Sequence, residues 1–174
     1  MIKKIRENEI KKNDEILYVE WVPAGRFVKG VMLFVCLLFI SIGIIISAFS
    51  PKELMFLGLI FGAVSIIIFL LYWNYRGLKI TLTNNQLEVN YGIFNQKKIP
   101  LNTITRCDTT KADFKTYGGV GIRYGLDGSW AYNTDFGEAV KLSFQDGKPF
   151  VFSTRNPQKI CDLISKLSNY ITSS

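Results

Sequence analysis

Between Gly30 and Pro51 the chain carries no charged side chain, and after Lys52 and Glu53 none occurs from Leu54 to Tyr75; each run is 22 residues long. At roughly 1.5 Å of rise per residue, such a run reaches about 33 Å as a helix, enough for a hydrocarbon layer of about 30 Å. Lipid offers the backbone no hydrogen-bond partner. The segment therefore satisfies its own groups as a helix, despite its many Ile and Val residues. The runs read VMLFVCLLFISIGIIISAF and LMFLGLIFGAVSIIIFLLYW, apolar on every side. The bland alternative is a pair of buried core helices, but a small domain cannot wrap two such rods. Pro51 stops the first helix, and Ser50–Glu53 is too short for a folded domain. The pattern predicts a transmembrane hairpin over 30–75, with helices at about 30–50 and 54–75. The mixed, highly charged stretch ahead of the first run argues against a cleaved signal peptide.

Beyond Arg76 the pattern changes to alternation. Leu78, Ile80 and Leu82 share one face, and Lys79, Thr81 and Thr83 the other. Asn84-Asn85 suits a tight turn, after which Leu87, Val89 and Tyr91 alternate with Glu88 and Asn90. Further strands are predicted at 97–101, 103–109, 120–124 and 130–133. Val140, Leu142 and Phe144 then alternate up to the Asp146-Gly147 turn, and Phe150 and Phe152 return. From Asn156, an N-cap, and Pro157 the period becomes helical: Ile160, Leu163, Ile164, Leu167 and Ile171 form one stripe over a helix of about 157–171. Residues 76–174 thus read as a β domain of about seven strands, closed by a helix over the open end of a bent antiparallel sheet. In segment 1–29, residues 15–22 (EILYVEWV) read as a strand able to join an edge of that domain. Lys3 to Lys12 is a polar lead; a membrane-surface helix through Ile2, Ile5 and Ile10 is the other reading.

Charge gives the hairpin a direction. The chain holds 21 Lys+Arg against 14 Asp+Glu, a net +7, of which 1–29 carry +2, 30–75 carry 0 and 76–174 carry +5. Arg26 and Lys29 precede the first helix and Arg76 and Lys79 follow the second, whereas the far side offers only Lys52, beside Glu53. The positive-inside rule then places both termini in the cytoplasm, as a multi-pass protein of the cell membrane. Trp21, Phe27, Tyr72, Trp73 and Tyr75 suit an aromatic belt at that boundary. The basic β domain suits anionic lipid headgroups. Nucleic acid is not expected as a partner, since no dense basic run or reading helix occurs. Cytoplasmic placement predicts reduced Cys107 and Cys161, and Cys36 is a small hydrophobe in the first helix.

No His occurs, which removes His-based acid–base chemistry, Ser-His-Asp triads and His-containing metal sites. None of the three Cys sits in a CxxC. No catalytic set, cofactor or metal is expected. Gly118-Gly119-Val120-Gly121 lacks both the third Rossmann glycine and the Walker Gly-Lys-Ser/Thr. Asp135-Phe136-Gly137 spells a kinase motif without its companions. The candidate binding residues are Arg123 and Asp127 around the Gly-rich turn, with Trp130 and Tyr132 beyond, because Arg beside aromatics suits an anion or a carboxylate. Lys97 and Lys98 are either a charge pair guarding a strand edge or a headgroup contact. In the spans, Gly58 and Gly62 form a GxxxG and Gly43 and Ser47 a small-xxx-small pair, suited to helix packing or self-association.

The stretches ITLTNNQLEVNYGIF, KKIPL, YGGVGIRYGLDGSWAYN and AVKLSFQDGKPFVFSTRNPQKICDLI, following a two-helix anchor, resemble bacterial pleckstrin-homology-like domains. The GGVGIR…GSWAYN block is the more specific part. The resemblance implies an α+β membrane protein: a two-helix transmembrane hairpin, then a PH-like antiparallel, seven-stranded bent sheet or barrel capped by a C-terminal helix. It implies membrane-associated binding or assembly without assigned chemistry; phosphoinositide binding does not follow from a shared fold. The expectation is a non-enzymatic, membrane-anchored binding or scaffold protein. It would contact lipid headgroups, a membrane-protein partner or its own copies. The alternative is an oligomerising subunit of a transport or pore complex.

Overall fold

The computed structural model describes residues 15–49 and 55–172. The polar lead with Ile2, Ile5 and Ile10, and the connection with Pro51, Lys52 and Glu53, lie outside the described residues. The chain divides into a β unit, up to Pro23 and from Gly77 onward, and a helical unit, Ala24–Arg76.

In the helical unit, α1 (Arg26–Phe49) and α2 (Met55–Asn74) are long and apolar enough to cross a membrane. Only 6% and 11% of their most apolar windows are buried. Phe39 and Phe61 meet across the pair at 5.8 Å. The Ala24 amide donates to the Arg76 carbonyl at 2.8 Å and closes the base of the pair. The Arg76 guanidinium lies 4.5 Å from the Trp73 ring centre.

The β unit begins before the helices. Strand β1 (Ile16–Pro23) pairs antiparallel with β2 (Gly77–Thr83), matching Pro23 with Gly77 and Val22 with Leu78. The β-formers of 16–22 find their partner across the whole helical insertion. The Trp21 ring lies so close over Gly77 that a Cβ there would collide with it; only glycine fits. Strands β3 (Gln86–Tyr91) and β4 (Asn95–Pro100) complete a four-stranded sheet in the order β1-β2-β3-β4. A 3-10 turn, Leu101–Thr103, leads to β5 (Ile104–Ala112), then to the single helical turn α3 (Phe114–Tyr117). Strands β6 (Gly121–Tyr124), β7 (Trp130–Asn133), β8 (Gly137–Phe144) and β9 (Phe150–Ser153) follow. They form a second sheet in the order β5-β8-β9-β7-β6.

This corrects the expected seven-stranded antiparallel sheet or barrel. The described residues form two open sheets of four and five strands, and β7 and β9 run parallel. The β8–β9 hairpin inserts between β5 and β7, with β9 rather than β8 against β7, and β9 there runs in the direction of β7. Alternation sends Leu78, Ile80, Leu82, Leu87, Val89, Ile99, Val140, Leu142, Phe150 and Phe152 into the core. Each large side chain fully buried there contributes about 1.5–3 kcal/mol. Helix α4 (Pro157–Thr172) adds Ile160, Cys161 and Ile164, while Lys159, Asp162 and Lys166 stay exposed. The Asn156 side-chain amide donates to the Tyr18 hydroxyl at 3.3 Å.

A second correction concerns the cysteines. Cys107 on β5 and Cys161 on α4 form a disulfide with Cα atoms 5.4 Å apart, across 54 residues of sequence. The packing of α4 against β5 brings them to bonding distance; their sequence separation concealed it. Cys36 is free.

Candidate functional site

The residues singled out in the β unit divide into two clusters. The first centres on Phe150. Lys97 and Lys98 are adjacent on β4, so they point to opposite faces. Lys98 faces outward and pairs with Glu88 at 2.9 Å. Lys97 shares the inner face with Ile99, and its Nζ lies 4.1 Å from the ring centre of buried Phe150. Tyr132 meets the same ring edge-on at 5.0 Å, and Tyr91 lies 6.2 Å from Tyr132. Lys97 has no carboxylate partner among the described residues. Burial lowers the Lys97 ammonium below the ordinary lysine range and raises the Tyr132 phenol. Lys97 and Tyr132 thus share Phe150 as a neighbour, and a partly desolvated ammonium is a donor suited to an anionic oxygen.

The folded pKa of Lys97 lies below its unfolded value, so the unfolded chain binds more protons between the two. Stability therefore rises with pH through the window leading up to the ordinary lysine pKa. Lys97→Met removes the desolvated charge and flattens that rise. Denaturation midpoints across alkaline pH test this; an unchanged slope in the variant contradicts it.

The second cluster centres on Asp127, and its partners were not foreseen. Asp127 does not pair with Arg123. Its Oδ2 accepts from Lys141 Nζ at 2.6 Å, and its Oδ1 from the Ser129 hydroxyl at 2.6 Å and the Ser129 amide at 3.1 Å. The Ser129 hydroxyl also shares a 3.0 Å hydrogen bond with Tyr117. Partial desolvation, the largest single influence, raises the Asp127 carboxyl; the bonds from Lys141 and Ser129 together outweigh it and leave the group below its ordinary value. Asp127 thus accepts three hydrogen bonds within the fold, and the cluster ties the turn that carries it to β8. Arg123 Nε donates to the Val120 carbonyl at 3.1 Å. Trp130 packs edge-on against Tyr124 at 5.4 Å, with Lys148 4.5 Å above the Tyr124 ring. Of the six candidates, Lys97 and Tyr132 meet at Phe150; Asp127, Arg123, Trp130 and Lys98 each serve a separate contact. By sequence Lys97 and Lys98 read as one pair; the structure sends Lys97 inward and Lys98 outward. Nothing in the sequence showed that Lys141 reaches Asp127.

The helical unit separates the two halves of its GxxxG. A Cβ on Gly58 would collide with the Ser47 hydroxyl and lie 3.0 Å from the Gly43 carbonyl. Gly43 in turn faces Gly58 O and Phe61 Cβ at 3.3 Å. Gly62 has nothing within 4 Å and borders an open groove of about 460 Å³ with Ile40, Ile44 and Leu59. Gly58→Ile is therefore expected to weaken the helix pair by about 1–3 kcal/mol, while Gly62→Ile leaves it unchanged. Thermal melting in detergent, followed by helicity, compares them; equal effects contradict the assignment.

No group of three or more His, Cys, Asp or Glu suited to a metal occurs among the described residues. The chain matches no protein-family model, no curated protein and no solved structure.

Proposed function

We propose that this chain is a membrane-anchored, PH-like binding module without catalytic chemistry of its own, held at the inner face of the cell membrane. The observation that carries the reading is the β1–β2 pairing, Pro23 with Gly77. The strands on either side of the two apolar helices are partners, so the β unit is tied to the spans through two strands of one sheet. Both termini are cytoplasmic in this reading, because four flanking cations stand against Lys52 and act as the chain inserts. The Cys107–Cys161 bridge weighs the other way, since such bonds persist in oxidising compartments. We take it as a bond that forms when the two thiols, held together by the fold, meet an oxidant.

The ligand in this reading is an anion, a phosphate or carboxylate held at the Lys97–Tyr132 corner against Phe150. Titrating the full chain in neutral detergent micelles with glycerophosphate tests it by nuclear magnetic resonance. Saturable shifts of Lys97 and Tyr132, lost in Lys97→Met, are expected. Uniform, unsaturable shifts spread over the exposed lysines contradict it. A second reading, assembly into an oligomer, is favoured by Gly62, whose bareness the helix pair does not require. Solution mass in detergent tests it, and a strict monomer removes it.

A further inference from the structure

The turn between β3 and β4, Gly92-Ile93-Phe94, carries two adjacent large apolar side chains, each 81% exposed. Turn tips favour Gly, Asn, Asp and Ser, because the backbone there meets water. Asn84-Asn85, which joins β2 to β3, and Asp146-Gly147, between β8 and β9, obey this, whereas the β6–β7 turn exposes one apolar side chain, Leu126. The adjacent pair Ile93-Phe94 has a definite place in the sheet. Pro23 pairs with Gly77, Leu78 with Tyr91, and Tyr91 with Asn95. The Ile93-Phe94 tip therefore projects from the sheet end at which the chain leaves for α1 and returns from α2. Asn84-Asn85 marks the opposite end.

The charge at this end complements an anionic surface. Trp21, 48% exposed, pairs in register with Lys79, and Lys79 has no carboxylate partner among the described residues. On β4 beyond the tip, Lys97 has no carboxylate partner among the described residues, while Lys98 is already paired with Glu88. Apolar side chains at a tip, an amphipathic indole and cations behind them match the layering of a bilayer from acyl chain to headgroup.

We propose that Ile93 and Phe94 insert into the interfacial layer of an anionic phospholipid bilayer, the one crossed by α1 and α2, as a third point of attachment that fixes the tilt of the β unit. This rests on the reading that α1 and α2 cross a membrane. A protein partner for the same tip is the competing occupant.

The test uses the full chain with Cys36→Ala and an oxidised bridge, so that one added cysteine takes an environment-sensitive fluorophore. The positions are Phe94→Cys, Asn85→Cys at the opposite sheet end, and Leu37→Cys within α1. Each protein is reconstituted in phosphatidylcholine–phosphatidylglycerol vesicles whose acyl chains are brominated, either near the headgroup or near the tail end. The expected result is quenching of the label at 94 by headgroup-end bromine, roughly threefold above that at 85, since interfacial groups sit at that depth. The label at 37 is quenched by bromine deeper in the layer. If 37 is quenched and 94 behaves as 85, the tip does not insert and the inference is overturned while the spans stand. If 37 is not quenched by either lipid, the spanning reading fails and the tip assignment falls with it.

Discussion

Glu20→Ala is expected to detach the first strand from the rest of the β unit and to destabilise it by about 3 kcal/mol. Glu20 is 8% exposed and accepts three hydrogen bonds. Oε2 takes the Thr154 hydroxyl at 2.6 Å and the Tyr18 hydroxyl at 2.9 Å; Oε1 takes the Arg155 amide at 2.8 Å. The carboxylate thus fastens β1 to the loop that launches α4, across 134 and 135 residues. Alanine removes the acceptor and leaves the buried Thr154 hydroxyl and the part-buried Arg155 amide without their partner. Each orphaned donor costs about 1–3 kcal/mol. A chain beginning at residue 77 loses β1 altogether and exposes the long edge of β2 to other chains. Denaturant titration of the full chain in detergent, followed by tryptophan fluorescence, measures the loss. A change below about 1 kcal/mol contradicts the role assigned to Glu20.

Reducing the Cys107–Cys161 bridge is expected to cost about 4 kcal/mol. The bond closes a loop of 54 residues, and in the chain-entropy account a loop of that length restricts the unfolded ensemble by about that amount. It also staples α4 to β5 on the side of the helix that buries Ile160 and Ile164. The same titration with and without reductant reads the effect, and the double variant Cys107→Ala, Cys161→Ala should match the reduced protein. Coincident curves for oxidised and reduced protein contradict it. Thiol counting on protein alkylated inside intact cells shows which form is resident.

Which parts of this architecture were legible depended on how local their causes are. The two apolar helices were readable because a 22-residue run without charge has few other fates. The β2–β3 and β8–β9 hairpins were readable because alternation and turn residues sit within a dozen positions of each other. Helix α4 announced itself through its stripe and Pro157. What sequence could not show was pairing at a distance. The strand at 16–23 had no visible partner because 53 residues of helical unit separate it from β2. Glu20 looked like one polar position of an alternating strand, and its true acceptors' donors lie at the far end of the chain. Lys141 lay on the polar face of β8 with nothing marking Asp127 as its partner. The parallel β7–β9 contact arises from where a hairpin inserts, which local patterning does not encode. In the candidate site, Lys97 and Lys98 were read as one pair at a strand edge; that Lys97 turns inward onto Phe150, which Tyr132 also meets, follows only from the meeting of the two sheets.

The central claim is that α1 and α2 integrate into a bilayer and carry the β unit with them. Flotation tests it directly: membranes holding the full chain are washed at alkaline pH, then spun through a density gradient without detergent. The account predicts that the chain rises intact with the lipid and leaves the vesicles only when detergent is added. Recovery of the chain in the lipid-free fractions, dissolved and monodisperse, would contradict it.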